Sequence, residues 1–435
     1  MYSHIKQTDP NIAKLAEQEY QRQCEGMELI ASENYQSQAV LQAQSTVFAN
    51  KYSEGFPGKR YYGGQENTDQ IEQLAIDRAK TIFHADHANV QALSGAAANV
   101  CIYAALMNPG DTILGMDLTH GGHLTHGAPV TFLSKVFNFI RYKTLPNGEI
   151  DFDQVRKLAH EHKPKIILAG FSAYPRELDY EKFVEIANEV GAIAFADMSH
   201  IGGLIAAGVL KNPLDYGFHV MMTTTHKSLR GPRGALILSK GVVSNPLKKP
   251  EDTIENIPTR IDRAVFPGVQ GGPHMNTISA IAVALKEAQT PAFKTYAEQT
   301  LKNAQVMAEE FIAKGYKLIT GGTDNHMIIL DFSDTALENG KNAEKILDEV
   351  GISTSKSTIP DDPNPPFRPS GLRIGMPAMT TRGVDEEGTK KIVDFMHRTF
   401  QCHSEQDEAV RLEKLASIRE EVKNFCKQYP VPVVK

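Results

Sequence analysis

Cysteine is scarce in this chain: four in 435 residues, Cys24, Cys101, Cys402 and Cys426, far apart, with no C-x-x-C pair and no histidine at metal-ligand spacing. That excludes a disulfide scaffold and a zinc ribbon, and the four read as free thiols. Long apolar runs are missing too, since none approaches the roughly 20 residues that a membrane helix needs. The opening residues, MYSHIKQTDPN, show neither a charged-then-apolar signal order nor an Arg-rich amphipathic pattern, so the expected compartment is the cytoplasm. There is no basic excess either. With 46 Lys and Arg against 52 Asp and Glu the net charge is -6, and the chain lacks the cationic surplus that phosphate backbones attract. Neither nucleic acid nor a membrane is an expected partner.

What is present is the composition of an ordinary soluble protein, on a chain long enough for two or three domains. From about Asn89 to Ser239, short β-rich runs (NVQAL, TILGM, KIILAG, AIAFAD, VMMTTTH and GALILS) alternate with helical stretches or Gly/Pro turns. Such alternation predicts an α/β fold with a mainly parallel sheet covered by helices. Residues 1 to about 27 read as amphipathic helix. The stretches ELIASENYQS and NKYSEGFPGKRYYGG are expected to be irregular. After FPGVQGGPHM, one long helical pattern from about Asn276 to Lys314 leads to a smaller α/β region with one clear strand, HMIILDF, and a helical tail ending near Pro430.

Buried parallel strands carry ligands beyond their carboxyl ends, and two of these runs end in polar residues. In TTTHKSLRGPRG, Lys227 follows an apolar strand and precedes a Gly/Pro loop, where a desolvated amine can attack an aldehyde. A lysine that merely marks a strand emerging into solvent is the commoner meaning of such a motif in isolation. In DMSHIGG, Asp197 ends a strand and His200 follows. A carboxylate there can pair with a protonated pyridine nitrogen, or simply cap a helix. In LSGAAANVCIYAALM, Ser94, Gly95 and Ala96 would let backbone N–H groups at a helix start approach a phosphate, although a bland turn uses the same residues. LTHGGHLTHG places His120, His123 and His126 at i, i+3 and i+6. With no acidic or thiol partner at matching distance in sequence, a ring stacked on an aromatic cofactor explains them better than a metal does.

Taken together, TTTHKSLRGPRG, DMSHIGG, LTHGGHLTHG, ELIASENY, NKYSEGFPGKRYYGG, FPGVQGGP and PSGLRIGMPA resemble the serine hydroxymethyltransferase family, in that family's order over about residues 10 to 400. The resemblance implies fold type I of the pyridoxal-phosphate (PLP) enzymes: a large domain with a mainly parallel seven-stranded sheet, a smaller α/β C-terminal domain and an N-terminal arm. The expected boundaries are 1–60 for the arm, 61–276 for the cofactor domain and 277–435 for the small domain. It implies reversible conversion of L-serine and tetrahydrofolate to glycine and 5,10-methylenetetrahydrofolate through a Schiff base on Lys227.

By the same resemblance Asp197 pairs with the pyridine nitrogen, His123 stacks on the ring, and His200 lies near the phenolic oxygen. Ser94, Gly95 and Ala96 match the phosphate loop, Ser172 another cofactor contact, and Thr224 a residue of the catalytic group. Arg373 matches the clamp on the substrate carboxylate, with Ser32 as a second contact, and Glu54 matches the acid–base glutamate. The resemblance further implies a homodimer with shared sites, with a tetramer as its next assembly. Tyr52, Glu54, Tyr62, Gly271 and Gly272 would reach the neighbouring subunit's pocket. Leu118, Leu124, Lys356 and Ser357 match folate-side positions. Three positions depart from the family pattern: Ser357 where an asparagine is frequent, Leu93 where a histidine is common, and Met376 for a threonine. They motivate an alternative, a folate-independent aldolase for β-hydroxy amino acids or a transferase for an α-methylated serine. A non-catalytic scaffold is disfavoured because Lys227, Asp197, Arg373 and Glu54 are all present.

Overall fold

The computed structural model describes residues 2–246 and 248–432. By internal packing the chain divides into two compact units, residues 39–298 and residues 1–38 together with 299–435. No described helix is long and apolar enough to cross a membrane.

The first unit is built on seven strands: β1 (His87–Asn89), β2 (Thr112–Met116), β3 (Asn138–Tyr142), β4 (Ile166–Gly170), β5 (Ile193–Asp197), β6 (Val220–Thr224) and β7 (Ala235–Ser239). Their order across the sheet is β1-β7-β6-β5-β4-β2-β3, and only β7 runs antiparallel to its neighbours. Strands β4 to β7 are buried at every residue, as apolar runs covered on both faces must be. Side chains alternate between the faces. Ile166, Leu168, Phe195, Val220, Met222 and Ile237 share a core with Ala98, Cys101 and Ile102 of the helix Gly95–Leu106.

The alternation of elements correctly indicates this sheet, with two differences. Strand β3 escapes the sequence pattern because it is an edge strand whose exposed and half-buried positions, Asn138 and Arg141 among them, break the apolar run. The strand expected at NVQAL sits slightly earlier, at His87–Asn89, and its three residues are buried although two are polar. The single long helix expected after Asn276 is two helices, Met275–Ala288 and Pro291–Ala313, because a proline cannot continue a ladder that needs its N–H.

In the second unit β8 (Lys317–Leu318), β9 (Met327–Asp331), β10 (Ser355–Ser357) and β11 (Gly371–Gly375) form an antiparallel sheet in the order β8-β9-β11-β10. Phe311, Phe332, Ile346, Met396 and Phe425 belong to its core. Met27–Glu28 pairs in parallel with Ile352–Ser353, and the following turn carries Ser32 alongside β11, where Gly375 N–H donates to the Leu29 carbonyl at 2.9 Å. A Cβ on Gly375 would sit 2.6 Å from Ala31 Cα, so only glycine permits that approach.

A tighter approach occurs in the first unit at Gly203, where a Cβ would lie 2.2 Å from the Ser228 carbonyl carbon. Gly203→Ala is expected to cost about 1–3 kcal/mol through forced backbone displacement. A lowered urea midpoint, read by circular dichroism, is the expected result; an unchanged midpoint would contradict this packing.

Candidate active site

Five strands of the first unit deliver their carboxyl ends to one cavity of about 200 Å³. It is lined by Ser94, Gly95 and Ala96 after β1, His123 after β2, Phe171 and Ser172 after β4, Asp197, Ser199 and His200 around the end of β5, and Thr224, His226, Lys227 and Arg233 around the β6–β7 turn. Ser94 caps its helix, its hydroxyl oxygen accepting from Ala97 N–H at 3.3 Å. A Cβ on Gly95 would lie 2.7 Å from Thr224 Cγ2, so a side chain there would collide with the end of β6. The helix start is thereby free to present N–H groups to an anion.

Asp197 is the electrostatic centre. Its Oδ2 accepts from His126 Nε2 at 2.9 Å and Asn99 Nδ2 at 3.0 Å, and its Oδ1 from Ser199 N at 3.1 Å and Ser199 Oγ at 2.6 Å. Burial alone would raise this carboxyl, but the His126 hydrogen bond and charge, aided by His123 and Ser199, hold it well below the usual carboxylate range. His126 Nδ1 accepts from His123 N–H at 3.1 Å, which leaves Nε2 to carry the proton toward Asp197. His123, His126 and Asp197 offer atoms within 4.8 Å of one another, as three metal ligands would. The direct bond between His126 and Asp197 already uses two of those atoms on each other.

The His123 ring is held through Nδ1, which accepts from Thr125 N–H at 3.2 Å and lies 2.8 Å from its hydroxyl. Burial, then the neighbouring His126 and, more weakly, Lys227, push its pKa down to about 4 against the pull of Asp197. The ring is therefore neutral at pH 7. Lys227 Nζ donates to Thr224 Oγ1 at 3.1 Å. Its turn is fixed by Gly231 N–H on the Thr225 carbonyl at 2.7 Å and by Thr225 Oγ1 on the Pro232 carbonyl at 2.5 Å. Beside it His226 is pushed down to about 3 by burial and by the Lys227 and Arg233 charges, and its buried Nδ1 finds no partner among the described residues.

Of the residues expected from sequence, Ser94, Gly95, Ala96, His123, Ser172, Asp197, His200, Thr224 and Lys227 meet in this cavity. Tyr52, Glu54, Tyr62, Gly271 and Gly272 do not line it. They gather elsewhere in the same unit, with Tyr62 Oη donating to Glu54 Oε2 at 3.0 Å and the Tyr52 and Tyr62 rings edge to face. Leu118 and Leu124 stand exposed on two short turns of the same loop. Arg373, Ser32, Lys356 and Ser357 belong to the second unit. There Arg373 Nε donates to Ser355 Oγ at 3.2 Å, burial pushes its guanidinium down to about 10, and Lys356 pairs with Glu344 at 2.9 Å. Sequence reasoning missed Asn99, Ser199, His226 and Arg233. The Asp-x-Ser spacing and the residue next to Lys227 were available signals for Ser199 and His226; nothing marked Asn99, which reaches Asp197 from a helix.

A family model described as serine hydroxymethyltransferase matches residues 5–396. The chain belongs to the serine hydroxymethyltransferase family. Proteins of that name from Xanthomonas campestris pv. campestris, Xanthomonas axonopodis pv. citri and Xanthomonas euvesicatoria pv. vesicatoria are each 50% identical to it over 423 residues, 97% of either chain. The fold is type I of the PLP enzymes, and the family's cofactor is pyridoxal phosphate, with tetrahydrofolate as co-substrate. The residues present fit PLP. The helix start kept open at Gly95, the ionised Asp197, the orphaned His226 Nδ1 and the Lys227 amine would offer phosphate donors, a pyridinium partner, a buried polar contact and an amine for the aldehyde.

Because unfolded imidazole takes up its proton near pH 6.5 and the folded His123 ring only near pH 4, the stability tied to its neutral form is complete above the first value and lost as pH falls toward the second. In a ¹⁵N-histidine NMR titration of the folded protein the His123 midpoint is expected well below 6. A midpoint at 6.5 or above would overturn the burial argument.

Proposed function

We propose that the chain catalyses reversible transfer of the hydroxymethyl group of L-serine to tetrahydrofolate, giving glycine and 5,10-methylenetetrahydrofolate. The observation that carries this reading is a buried, ionised carboxylate, Asp197, sharing one cavity with the Lys227 amine. When bound, PLP supplies an aldehyde for amine exchange and a ring that withdraws electrons from the amino acid's Cα. Asp197 would hold the proton on the pyridine nitrogen, and its four hydrogen bonds keep it ionised for that role. His123 offers a neutral ring face on which the cofactor ring would stack, Ser94 to Ala96 would hold the phosphate end, and Ser172 would make another cofactor contact. His200 is assigned to the phenolic oxygen, and Thr224 keeps the Lys227 amine aimed by hydrogen bonding.

Arg373 is assigned to the substrate carboxylate, where a guanidinium gives a bidentate, charge-assisted contact, with Ser32 as its helper. Glu54 is assigned to proton movement at the serine hydroxyl and the folate, with Tyr62 donating to it. Leu118, Leu124, Lys356 and Ser357 are assigned to the folate side. The working division is then an arm over 1–60, a cofactor domain over 61–276 and a small domain over 277–435.

Tyr52, Glu54, Tyr62, Gly271 and Gly272 are assigned to the pocket of a neighbouring copy in a homodimer. Support comes from the exposure of the large side chains Tyr52, Tyr61 and Tyr62, the first and last of them in ring contact, of the kind that marks interaction surfaces. The net charge of -6 and the absence of a membrane-spanning helix among the described residues fit small-molecule chemistry in the cytoplasm.

Lys227→Ala is expected to abolish catalytic turnover of serine and leave the far-UV circular dichroism unchanged; multiple turnovers by this variant would refute the assignment. Arg373→Ala should weaken serine binding by about 2–5 kcal/mol, seen as a raised KM. For the whole reaction, the protein with glycine should gain a strong long-wavelength absorbance band only when tetrahydrofolate is added. A spectrum indifferent to folate would favour the folate-independent aldolase, the reading to which Ser357 and Leu93 point.

A further inference from the structure

The peptide under Glu54 is immobilised to an unusual degree. Every carbonyl from Tyr52 to Gly55 has a donor: Gln65 Nε2 on Tyr52 at 3.1 Å, Arg60 Nη1 on Ser53 at 2.9 Å and on Gly55 at 3.0 Å, and Tyr61 N–H on Glu54 at 3.2 Å. Arg60 is itself held by Asp69 and by the buried Glu72, at 2.8 and 2.6 Å. These bonds fix the loop internally and to the helix Glu66–Phe83 that follows it.

One side chain connects this loop to the cofactor cavity. Gln91, buried just past β1, donates from Nε2 to the Gly55 carbonyl at 2.9 Å and to Glu72 Oε1 at 2.7 Å. Two acceptors on the same atom settle the orientation of the amide. The backbone carbonyl of Gln91 accepts from Gln270 Nε2 at 2.8 Å, and Gln270 Oε1 accepts from Leu93 N–H at 3.1 Å. Gln270 immediately precedes Gly271 and Gly272, and Leu93 immediately precedes Ser94. The glycines in turn lie against the loop: a Cβ on Gly271 would be 3.5 Å from Glu54 Oε1, and one on Gly272 3.2 Å from the Tyr52 ring.

We propose that Gln91 is a positioning residue for the transfer reaction, setting the Glu54 carboxylate, the Ser94–Ala96 phosphate loop and the Gly271–Gly272 segment in register through the Gly55 and Gln270 hydrogen bonds. It touches neither substrate nor cofactor. The inference rests on the proton role assigned to Glu54. Placement errors of about 1 Å cost on the order of 100-fold in rate, so a device that fixes an acid on a loop has a kinetic signature as well as a structural one.

The test compares three variants of the full-length PLP-loaded protein. Gln91→Met keeps the volume and removes both donors. It is expected to lower kcat for serine with tetrahydrofolate by about tenfold or more with a near-constant KM for serine, and to move the midpoint of the kcat–pH profile by more than about 0.5 unit. A purely structural glutamine would lower the melting temperature and leave that midpoint in place. Gln270→Met spares the Gly55 bond and cuts the tie to Leu93. It should weaken PLP retention, read by cofactor absorbance after dialysis, with the pH midpoint unmoved. The proposal is overturned if folded Gln91→Met keeps its kcat and pH midpoint, or, should that variant not fold, if Gln270→Met retains PLP like the parent. Glu54→Gln separates the two levels. If it leaves turnover intact, the role of Glu54 fails; if it abolishes turnover and Gln91→Met does not impair it, only the role of Gln91 fails.

Discussion

A carboxylate almost wholly withdrawn from water is the constraint around which the first unit is organised. Removing one from solvent costs several kcal/mol even after relaxation, and that cost is tolerable only when each oxygen has donors. Asp197 gets them from three places in the chain: Ser199 two residues on, His126 from the loop after β2, and Asn99 from the helix Gly95–Leu106. Satisfying one ionised group therefore brings together a strand end, a loop and a helix. The His126 orientation this requires also puts a hydrogen bond on the backbone of His123. His123 and the Asp197 carboxylate are thus two ends of a single network.

The parallel sheet was legible because complete burial leaves nothing for periodicity to hide. Strands β4, β5 and β6 are buried throughout, and β5 and β6 turn from apolar to polar at their ends, at Asp197 and Thr224, where the cavity opens. Where burial is partial, the pattern fails, as at β3, whose Arg141 turns aside to donate to the Gly127 carbonyl at 2.7 Å. The break at Pro291 was equally available from steric rules, yet the apolar period runs through it and masks it.

The same contrast governs the site. Lys227 and Asp197 announce themselves because their neighbours in sequence make a strand. Asn99 and Gln91 do not, because their meaning lies in atoms distant along the chain: Asp197 for the first, Gly55 and Glu72 for the second. An amide in a helix or beside a strand looks like any other until its partners are known. Motif resemblance pointed to Lys227 and Asp197, and the structure adds the partners that hydrogen-bond around them.

The return of the chain after Lys227 has one more consequence. β7 runs antiparallel to β6, so the lysine sits in a hairpin-like turn whose two sides are bonded to each other, unlike the crossover loops elsewhere in the sheet. Surface loops ordinarily absorb insertions and deletions with little harm. The ends of this one are bonded together at Thr225 and Gly234, so an added residue displaced into β7 would shift that strand out of register with both β6 and β1, and every buried side chain on it would exchange faces. The two ends of the turn that carries Lys227 are therefore held by the core of the sheet, through the register of β7 against both of its neighbours.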